Sequence, residues 1–272
     1  MIKVAIVGAA GRMGRLLVKQ VIEDPETELS GALEAPQSPL LGSDAAAVAG
    51  CAPCGIQITG DADAALQGAD VVIDFTFAVA SRVLVPKAVA AGAAVVLGST
   101  GLTAEDHALI DRLCAEGARI VQAPNMSIGV NLLFALCSRT ARLLGEDYDI
   151  EVVEMHHNQK KDAPSGTAER LGQILAEARG LDYDTAVRHG REGIVGAREK
   201  GEIGMHALRG GDVVGDHTVI FATGGERVEL THKASSRETF AAGAVRAAKF
   251  LCSAPAGRYD MQDVLGLKSC IG

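Results

Sequence analysis

Met1-Ile2-Lys3-Val4-Ala5-Ile6-Val7-Gly8-Ala9-Ala10-Gly11-Arg12-Met13-Gly14 opens the chain, and its reading decides the fold. Residues 1–7 form an apolar run that halts at a glycine, after which Leu16, Leu17, Gln20 and Val21 follow at helical spacing. The succession is strand, glycine turn, helix. Gly8, Gly11 and Gly14 stand as G-x-x-G-x-x-G, a variant of the spacing that brings backbone N–H groups and a helix N-terminus up to a pyrophosphate. A plain tight turn with close helix packing would use the same glycines. The context favours the nucleotide: a second strand-like run, Glu28 to Leu33, ends on Glu34, where an acid grips the adenosine ribose hydroxyls. Arg12 and Arg15 are either solvated helix residues or partners of the phosphates. Ala35-Pro36 brings no base for a 2′-phosphate, which leans towards NADH over NADPH, although Arg12 is close by.

Strand and helix keep alternating beyond this point. Ala35 to Thr59 reads as loop with a short helix at Ser43 to Ala49. Strands are expected at Val71 to Thr76, Ala94 to Leu97 and Arg119 to Gln122, and helices at Ala80 to Ala91 and Thr103 to Ala118. The pattern predicts an α/β fold, a Rossmann-type doubly wound parallel sheet whose ligands lie at the carboxyl ends of the strands. Ala123-Pro124-Asn125-Met126-Ser127 reads as a hinge, with Ser127 placed to cap a helix from Ile128 to Leu144. A second α+β domain with a mixed or antiparallel sheet is expected after it. Its strands are Tyr148 to Val153, Ile203 to Leu208, Asp212 to Ala222 and Glu226 to Lys233, with turns at Gly210-Gly211 and Thr223-Gly224-Gly225. His189 to Gly201, charged and glycine-rich, is either a mobile loop or an oligomer contact. A helix from Arg237 to Leu251 is expected to return to the first domain, because a sheet covered on both faces needs more than residues 1–127 supply. The domain assignment is residues 1–127 with 237–272 for the dinucleotide, and residues 128–236 for substrate binding and oligomerisation.

The stretch Glu154-Met155-His156-His157-Asn158-Gln159-Lys160-Lys161-Asp162-Ala163-Pro164-Ser165-Gly166-Thr167 concentrates the chemistry of that second domain. Two imidazoles and two ammonium groups fall within six residues, ahead of a helical run, Ala168 to Arg179, for which Ser165 is a natural N-cap. The backbone N–H groups of Gly166 and Thr167 would then lie at the positive end of a helix dipole, suited to a carboxylate or phosphate. A capped helix after a polar loop is common on its own. Histidine titrates near neutrality and lysine supplies fixed charge, so their coincidence with the cap points to a proton donor beside an anion site. A zinc site is disfavoured, because adjacent histidines on a strand point to opposite faces. His206, His217 and His232 read as structural sheet histidines.

Composition narrows the classes. The chain has 272 residues, is 48% hydrophobic, lacks tryptophan and carries a formal charge of −8, which argues against nucleic acid and anionic membrane as partners. The first strand begins at Ile2 and no apolar run reads as long enough to span a bilayer, so a cytoplasmic protein is expected. Cys51-Ala52-Pro53-Cys54 has no second ligand pair at metal spacing and is taken as a plain loop.

Together these motifs resemble one family, the 4-hydroxy-tetrahydrodipicolinate (dihydrodipicolinate) reductases of diaminopimelate and lysine synthesis. The carriers are Val7 to Gly14, Asp74-Phe75-Thr76, Gly98-Ser99-Thr100-Gly101, Ala123 to Ser127, Glu154 to Thr167 and Thr231 to Arg237, the His-His-x-x-Lys-x-Asp-Ala-Pro-Ser-Gly-Thr string being the most specific. The resemblance implies an NAD(P)H-dependent oxidoreductase with His156 as general acid and Lys160 as its partner, and His157, Gly166 and Thr167 on the carboxylates of a small dicarboxylate heterocycle. It places NADH or NADPH against Gly8, Ala9, Ala10, Gly11, Arg12 and Met13, against Glu34, against Gly98, Ser99 and Thr100, and against Ala123, Pro124, Asn125 and Met126. It further implies no metal and a homotetramer built through the sheet of the second domain. Many relatives carry Arg after the ribose acid, where this chain has Ala35. Rival readings are another two-domain NAD(P)-dependent oxidoreductase and a non-catalytic dinucleotide sensor, which would have no need of His156 and Lys160 beside an anion site.

Overall fold

In the computed structural model, which describes residues 1–270, the apolar runs of the first half become parallel strands. These are β1 (Ile2–Val7), β2 (Thr27–Leu33), β3 (Ile58–Thr59), β4 (Val71–Asp74), β5 (Ala94–Leu97) and β6 (Arg119–Gln122). With β12 (Gly257–Tyr259) they form a seven-stranded sheet in the order β12-β6-β5-β4-β1-β2-β3, every pairing parallel. Central strands such as β4 and β5 are buried throughout, as a sheet covered on both faces requires. Helices α1 (Arg12–Glu23), α2 (Ala45–Val48), α3 (Ala62–Leu66), α4 (Ala78–Ala90) and α5 (Ala104–Ala115) connect them. The strand order reverses between β1 and β4, so the crevice beyond their carboxyl ends is the topological switch point of the sheet. The edge strand β3 falls inside the segment expected to be loop. Two residues are too few to show a period, and β3 forms only because Ile58 and Thr59 meet Ala32 and Leu33.

The second half folds as its own unit around β7 (Asp149–His156), β8 (Val187–His189), β9 (Ile203–Arg209), β10 (Gly215–Thr223) and β11 (Glu226–Ala234). Their order is β11-β10-β7-β9-β8, a mixed sheet in which β7, β8 and β9 are parallel while β10 runs against β7 and β11. Helices α6 (Ile128–Leu144) and α7 (Gly166–Ala178) cover one face, burying Val130, Leu133, Phe134, Leu171 and Leu175 against Ile150, Val152, Met205 and Phe221. The short α8 (Tyr183–Ala186) leads into β8.

The chain falls into two compact units, Met1–Ile128 with Arg237–Gly266, and Gly129–Ser236 with the chain from Leu267. Helix α9 (Glu238–Ser253) thus belongs to the first unit, followed by α10 (Met261–Val264), whereas the turn α11 (Leu267–Cys270) groups with the second, not the first as the sequence suggested. On α9, Ala241, Ala244, Ala247, Ala248 and Leu251 are buried in the same core as Val4, Ile6 and Ile73. Small residues let this helix come close: a Cβ on Gly243 would lie 1.8 Å from the Met126 carbonyl oxygen.

Two expectations need correction. The 20 residues Ile128–Asp147, α6 and the turn after it, are long and apolar enough to cross a membrane by length and composition. Their apolar side closes the core of the second unit through Val130, Leu133, Phe134, Cys137 and Ala141, and a core helix passes the same test. The segment after His189 is tied down. Arg191 Nη2 bonds Glu151 Oε1 at 2.7 Å, Arg198 Nη1 bonds Asp149 Oδ1 at 2.8 Å, and His206 Nε2 lies 2.7 Å from Glu151 Oε2. Burial would raise the pKa of Glu151, but Arg191, His206 and Arg198, whose Nε bonds Glu151 Oε1 at 3.0 Å, outweigh it and hold the carboxyl at about 2. Gly204 makes room for that carboxylate, since a Cβ there would sit 1.8 Å from Glu151 Oε2.

Candidate active site

Strand β7 runs on past Val153 through Glu154, Met155 and His156. Its pleat continues, with Ile150, Val152, Glu154 and His156 all on the buried face. The alternation that places two aliphatics in the core therefore also places a carboxylate and an imidazole at its edge. Glu154 is fully buried and His156 nearly so, and His156 Nδ1 lies 2.5 Å from Glu154 Oε2. Arg209, opposite His156 on β9, clamps the same carboxylate with Nη1 to Oε2 at 2.8 Å and Nη2 to Oε1 at 2.9 Å. Glu154 Oε1 also accepts the Ser165 N–H at 3.1 Å. Left alone, burial would raise the pKa of Glu154; the bonds from His156 and Arg209 overcome it and hold the group ionised, at about 2.

The chain from β9 to β10 does not make a hairpin, because β7 lies between those strands. It crosses the end of β7 instead: Gly210 N–H donates to the His156 carbonyl, His157 N–H to Val213 at 2.7 Å, and Asn158 N–H to Gly211. The crossing brings Gly215 against the imidazole, where a Cβ would lie 3.0 Å from His156 Nε2. His217, next but one on β10, packs edge-on to His156 with ring centroids 5.2 Å apart. Its Nε2 is 3.1 Å from Ser165 Oγ, which in turn accepts the Ala168 N–H and so caps α7. Burial, and then the neighbouring charge of His156, push His217 down to about 3.

That depression has a measurable consequence. The unfolded ring takes up a proton near 6.5 while the folded ring resists it down to about 3, so stability is complete above pH 6.5 and declines as pH falls. Between pH 6.5 and 5.5, above most of the range where unfolded Glu151 and Glu154 titrate, His217 contributes a slope of up to about 1.4 kcal/mol per pH unit. His232, lowered chiefly by burial, acts in the same direction in any variant that keeps it. Urea unfolding across this window is expected to show a shallower slope for His217→Gln; equal slopes would refute the neutral assignment.

The remaining residues of the stretch take the following places. Lys160 N–H donates to the His157 carbonyl, and its ammonium pairs with Asp162 Oδ2 at 2.8 Å. Its charge also reaches His217. Arg209 Nη2 fixes this loop by bonding the Asp162 carbonyl at 2.7 Å. Gly166 opens α7 with free space where a Cβ would project, and Thr167 follows in the first turn. His157 Nδ1 is buried with no partner among the described residues.

In the first unit, Gly8 adopts φ +74° and the missing Cβ of Gly14 lets α1 approach to within 2.0 Å of the Gly8 carbonyl oxygen, measured from where that Cβ would stand. No side chain caps α1. The Ala10 N–H instead meets the Glu34 carboxylate at 2.9 Å, an oxyanion already seated on the turn, while the other Glu34 oxygen accepts the Ala35 N–H. Turn and acid thus fit a nucleotide's phosphates and ribose. Arg12 is exposed, Ala9 is buried, and Arg15 Nε bonds the Ala10 carbonyl. Gly98 lies against the Phe75 ring and Thr100 is exposed. The hydroxyl of Ser99 is turned inward to Ser81 at 2.8 Å and Asp74 at 3.3 Å, and Ala123 and Met126 are core residues, so these three can offer only backbone. Asn125 Oδ1 accepts the Ser127 N–H. Among the described residues no group of three or more His, Cys, Asp or Glu side chains could hold a metal ion, and Cys51 and Cys54 are free thiols.

The sequence reading passed over Glu154 as a partner of His156, although residues two apart on a strand share a face. It passed over Arg209 for a better reason, since nothing local announces a pairing across 55 residues.

A nucleotide-binding parallel sheet joined in one chain to a unit with a carboxylate-held imidazole beside lysine and a helix N-terminus defines a two-domain nicotinamide-dependent oxidoreductase. Residues 2–126 match the family description "Dihydrodipicolinate reductase, N-terminus" and residues 129–265 its "C-terminus". The chain belongs to the dihydrodipicolinate reductase family. Its relatives include the 4-hydroxy-tetrahydrodipicolinate reductases of Syntrophotalea carbinolica and Geotalea daltonii, 51% and 49% identical, with 98% of this chain and 100% of each relative covered. Among solved structures, a dipicolinate-bound dihydrodipicolinate reductase from Paenisporosarcina sp. TG-14 aligns at TM-score 0.71 and 25% identity over 97% of this chain and 98% of that one. An amine dehydrogenase from Mycobacterium smegmatis, at 13% identity and TM-score 0.59 over 94% of each chain, shares the fold alone.

Proposed function

We propose that the chain reduces 4-hydroxy-tetrahydrodipicolinate, by way of dihydrodipicolinate, to tetrahydrodipicolinate in diaminopimelate and lysine synthesis. The observation that carries this reading is His156, buried at the end of β7 and bonded to Glu154, in a chain matched by the reductase family over nearly its full length. The substrate is a cyclic dicarboxylate with an imine. Loss of its 4-hydroxyl as water gives a conjugated imine, and the reduced nicotinamide, when bound, supplies a hydride to the far end of the conjugation. The resulting enamine then needs a proton on carbon, which His156 delivers from Nε2. His157, Gly166 and Thr167 hold the carboxylates at the start of α7 while Lys160 offsets their charge. The cofactor takes the turn from Gly8 to Met13, with Glu34 on the ribose and backbone from Gly98 to Thr100 and Ala123 to Met126 alongside. Residues 1–128 with 237–266 form the dinucleotide domain in this reading, and residues 129–236 with the chain from Leu267 the substrate domain. The enzyme works in the cytoplasm as a homotetramer, a state readable from its mass in solution. The sheet face away from α6 and α7, with Val153, Met155, Thr218 and Ile220 partly exposed, supports its joining there.

The test is the initial rate of NADH and NADPH oxidation with substrate generated in place by the upstream synthase. Turnover that depends on that synthase is expected, with the higher kcat/KM for NADH. Ala35→Arg should narrow the gap by roughly tenfold, the worth of one charge-assisted contact to a phosphate. Folded protein that binds NADH and turns over neither cofactor with this substrate would sink the assignment.

A further inference from the structure

Glu154 has so far only held a ring, yet it is the most deeply buried charge at the site and four donors converge on it: His156, both terminal nitrogens of Arg209, and the Ser165 N–H. A carboxylate is expensive to bury, and tying β7 to β9 and α7 would need no contact with an imidazole. The contact it makes is to Nδ1, leaving Nε2 turned to Gly215, where a Cβ would stand 3.0 Å from that nitrogen.

We propose that Glu154, clamped by Arg209, is the positioning residue for His156: it keeps a proton on Nδ1, so the proton that leaves always leaves from Nε2. The proposal rests on the reading that His156 protonates the reduced substrate. In that step the Nε2–H bond breaks and the enamine π pair forms the new C–H bond. The ring nitrogen's lone pair restores C=N, and His156 is left neutral with Nδ1–H still bonded to Glu154; solvent replaces the proton at Nε2. Against the imidazole stand Glu154 on its own strand and the neutral His217 on β10; Arg209 on β9 and the Ser165 N–H bond Glu154, and Lys160 pairs with Asp162 in the loop. Glu154 alone in this set accepts from the ring, so it alone can select which nitrogen is free. Without it the ring can flip or change tautomer, and proton delivery slows while hydride delivery does not.

Glu154→Gln tests this in the full-length enzyme, measured with NADH and with NADH deuterated at the transferred position, in water and in deuterium oxide. A fall in kcat of about 10²-fold with KM within threefold of wild type is expected. The solvent isotope effect on kcat should rise and the hydride isotope effect should collapse towards one, because proton transfer has become limiting. Retained kcat, a loss confined to KM, or a lower kcat with both isotope effects unchanged would overturn the proposal. If Glu154→Gln does not fold, Arg209→Lys carries the same test, since one ammonium cannot span both carboxylate oxygens. A several-fold fall with the same isotope pattern supports the proposal, and wild-type isotope effects overturn it. His156→Gln, run in parallel, separates the two ideas: unimpaired turnover there removes the underlying reading, whereas an impaired His156→Gln beside a normal Glu154→Gln removes only the role of Glu154.

Discussion

His156→Gln is expected to lower kcat by about 10²–10⁴-fold, the usual loss on removing a positioned general acid. Glutamine is chosen because its amide can still donate to Glu154, so the buried carboxylate keeps a partner and β7 keeps its end. What it cannot do is release a proton to carbon near neutral pH. The dinucleotide elements lie in the other unit, so NADH affinity, followed by the cofactor's fluorescence, should stay within about threefold of wild type. Rates would be compared at saturating substrate and cofactor. A variant that bound NADH and turned over at the wild-type rate would show that another group supplies the proton, with Lys160 next in line.

The second large effect is expected at Gly14. A Cβ at this position would stand 2.0 Å from the Gly8 carbonyl oxygen and 2.7 Å from the Ala9 Cα, and both obstacles are backbone. No rotamer relieves such a clash. Gly14→Val must push the start of α1 away from the turn, which separates the unpaired N–H groups of α1 from the Ala10 amide that now meets Glu34. Overpacking on this scale costs about 3 kcal/mol or more. NADH affinity should fall by at least about 10²-fold, since the phosphate cradle is the part displaced. Urea unfolding followed by circular dichroism and NADH titration would check both expectations. Near-normal NADH binding would mean that the glycine triplet serves helix packing alone.

Much of this was legible in the sequence where one residue's role depends on its near neighbours. The glycine turn, the acid at Glu34, the span Ile128–Leu144 and the Ser165 cap are each written within a few positions of one another. The strand ending at His156 was half legible. A polar tail after Val153 reads as the end of a strand, whereas the pleat carries Glu154 and His156 inward because Arg209 and Ser165 are waiting there. What stayed hidden depends on pairings across the chain. Arg209 reaches Glu154 through parallel register, His217 faces Glu154 across an antiparallel one, and β3 exists only against β2. The apolar run of α6 was underestimated in length, and composition alone does not say whether lipid or a protein core will receive it.

The return of α9 to the first unit has a consequence for how the protein is made. Its buried face packs beside Val4, Ile6 and Ile73, and Gly243 meets the loop at Met126. A ribosome working from the amino terminus has therefore released every strand of the smaller sheet, residues 149–234, before the helix that finishes the larger core exists. The interrupted unit is begun first and stays open until α9 and β12 follow, with apolar surface left uncovered through the interval, whereas residues 129–236 of the inserted unit emerge as one unbroken length of chain. Non-local closure of this kind is slow, and the apolar surface it leaves open favours aggregation until it is covered. A nascent chain that stops before Glu238 leaves the core around Val4, Ile6 and Ile73 without the helix that covers it, which the sequence of the first 128 residues, read alone, does not disclose.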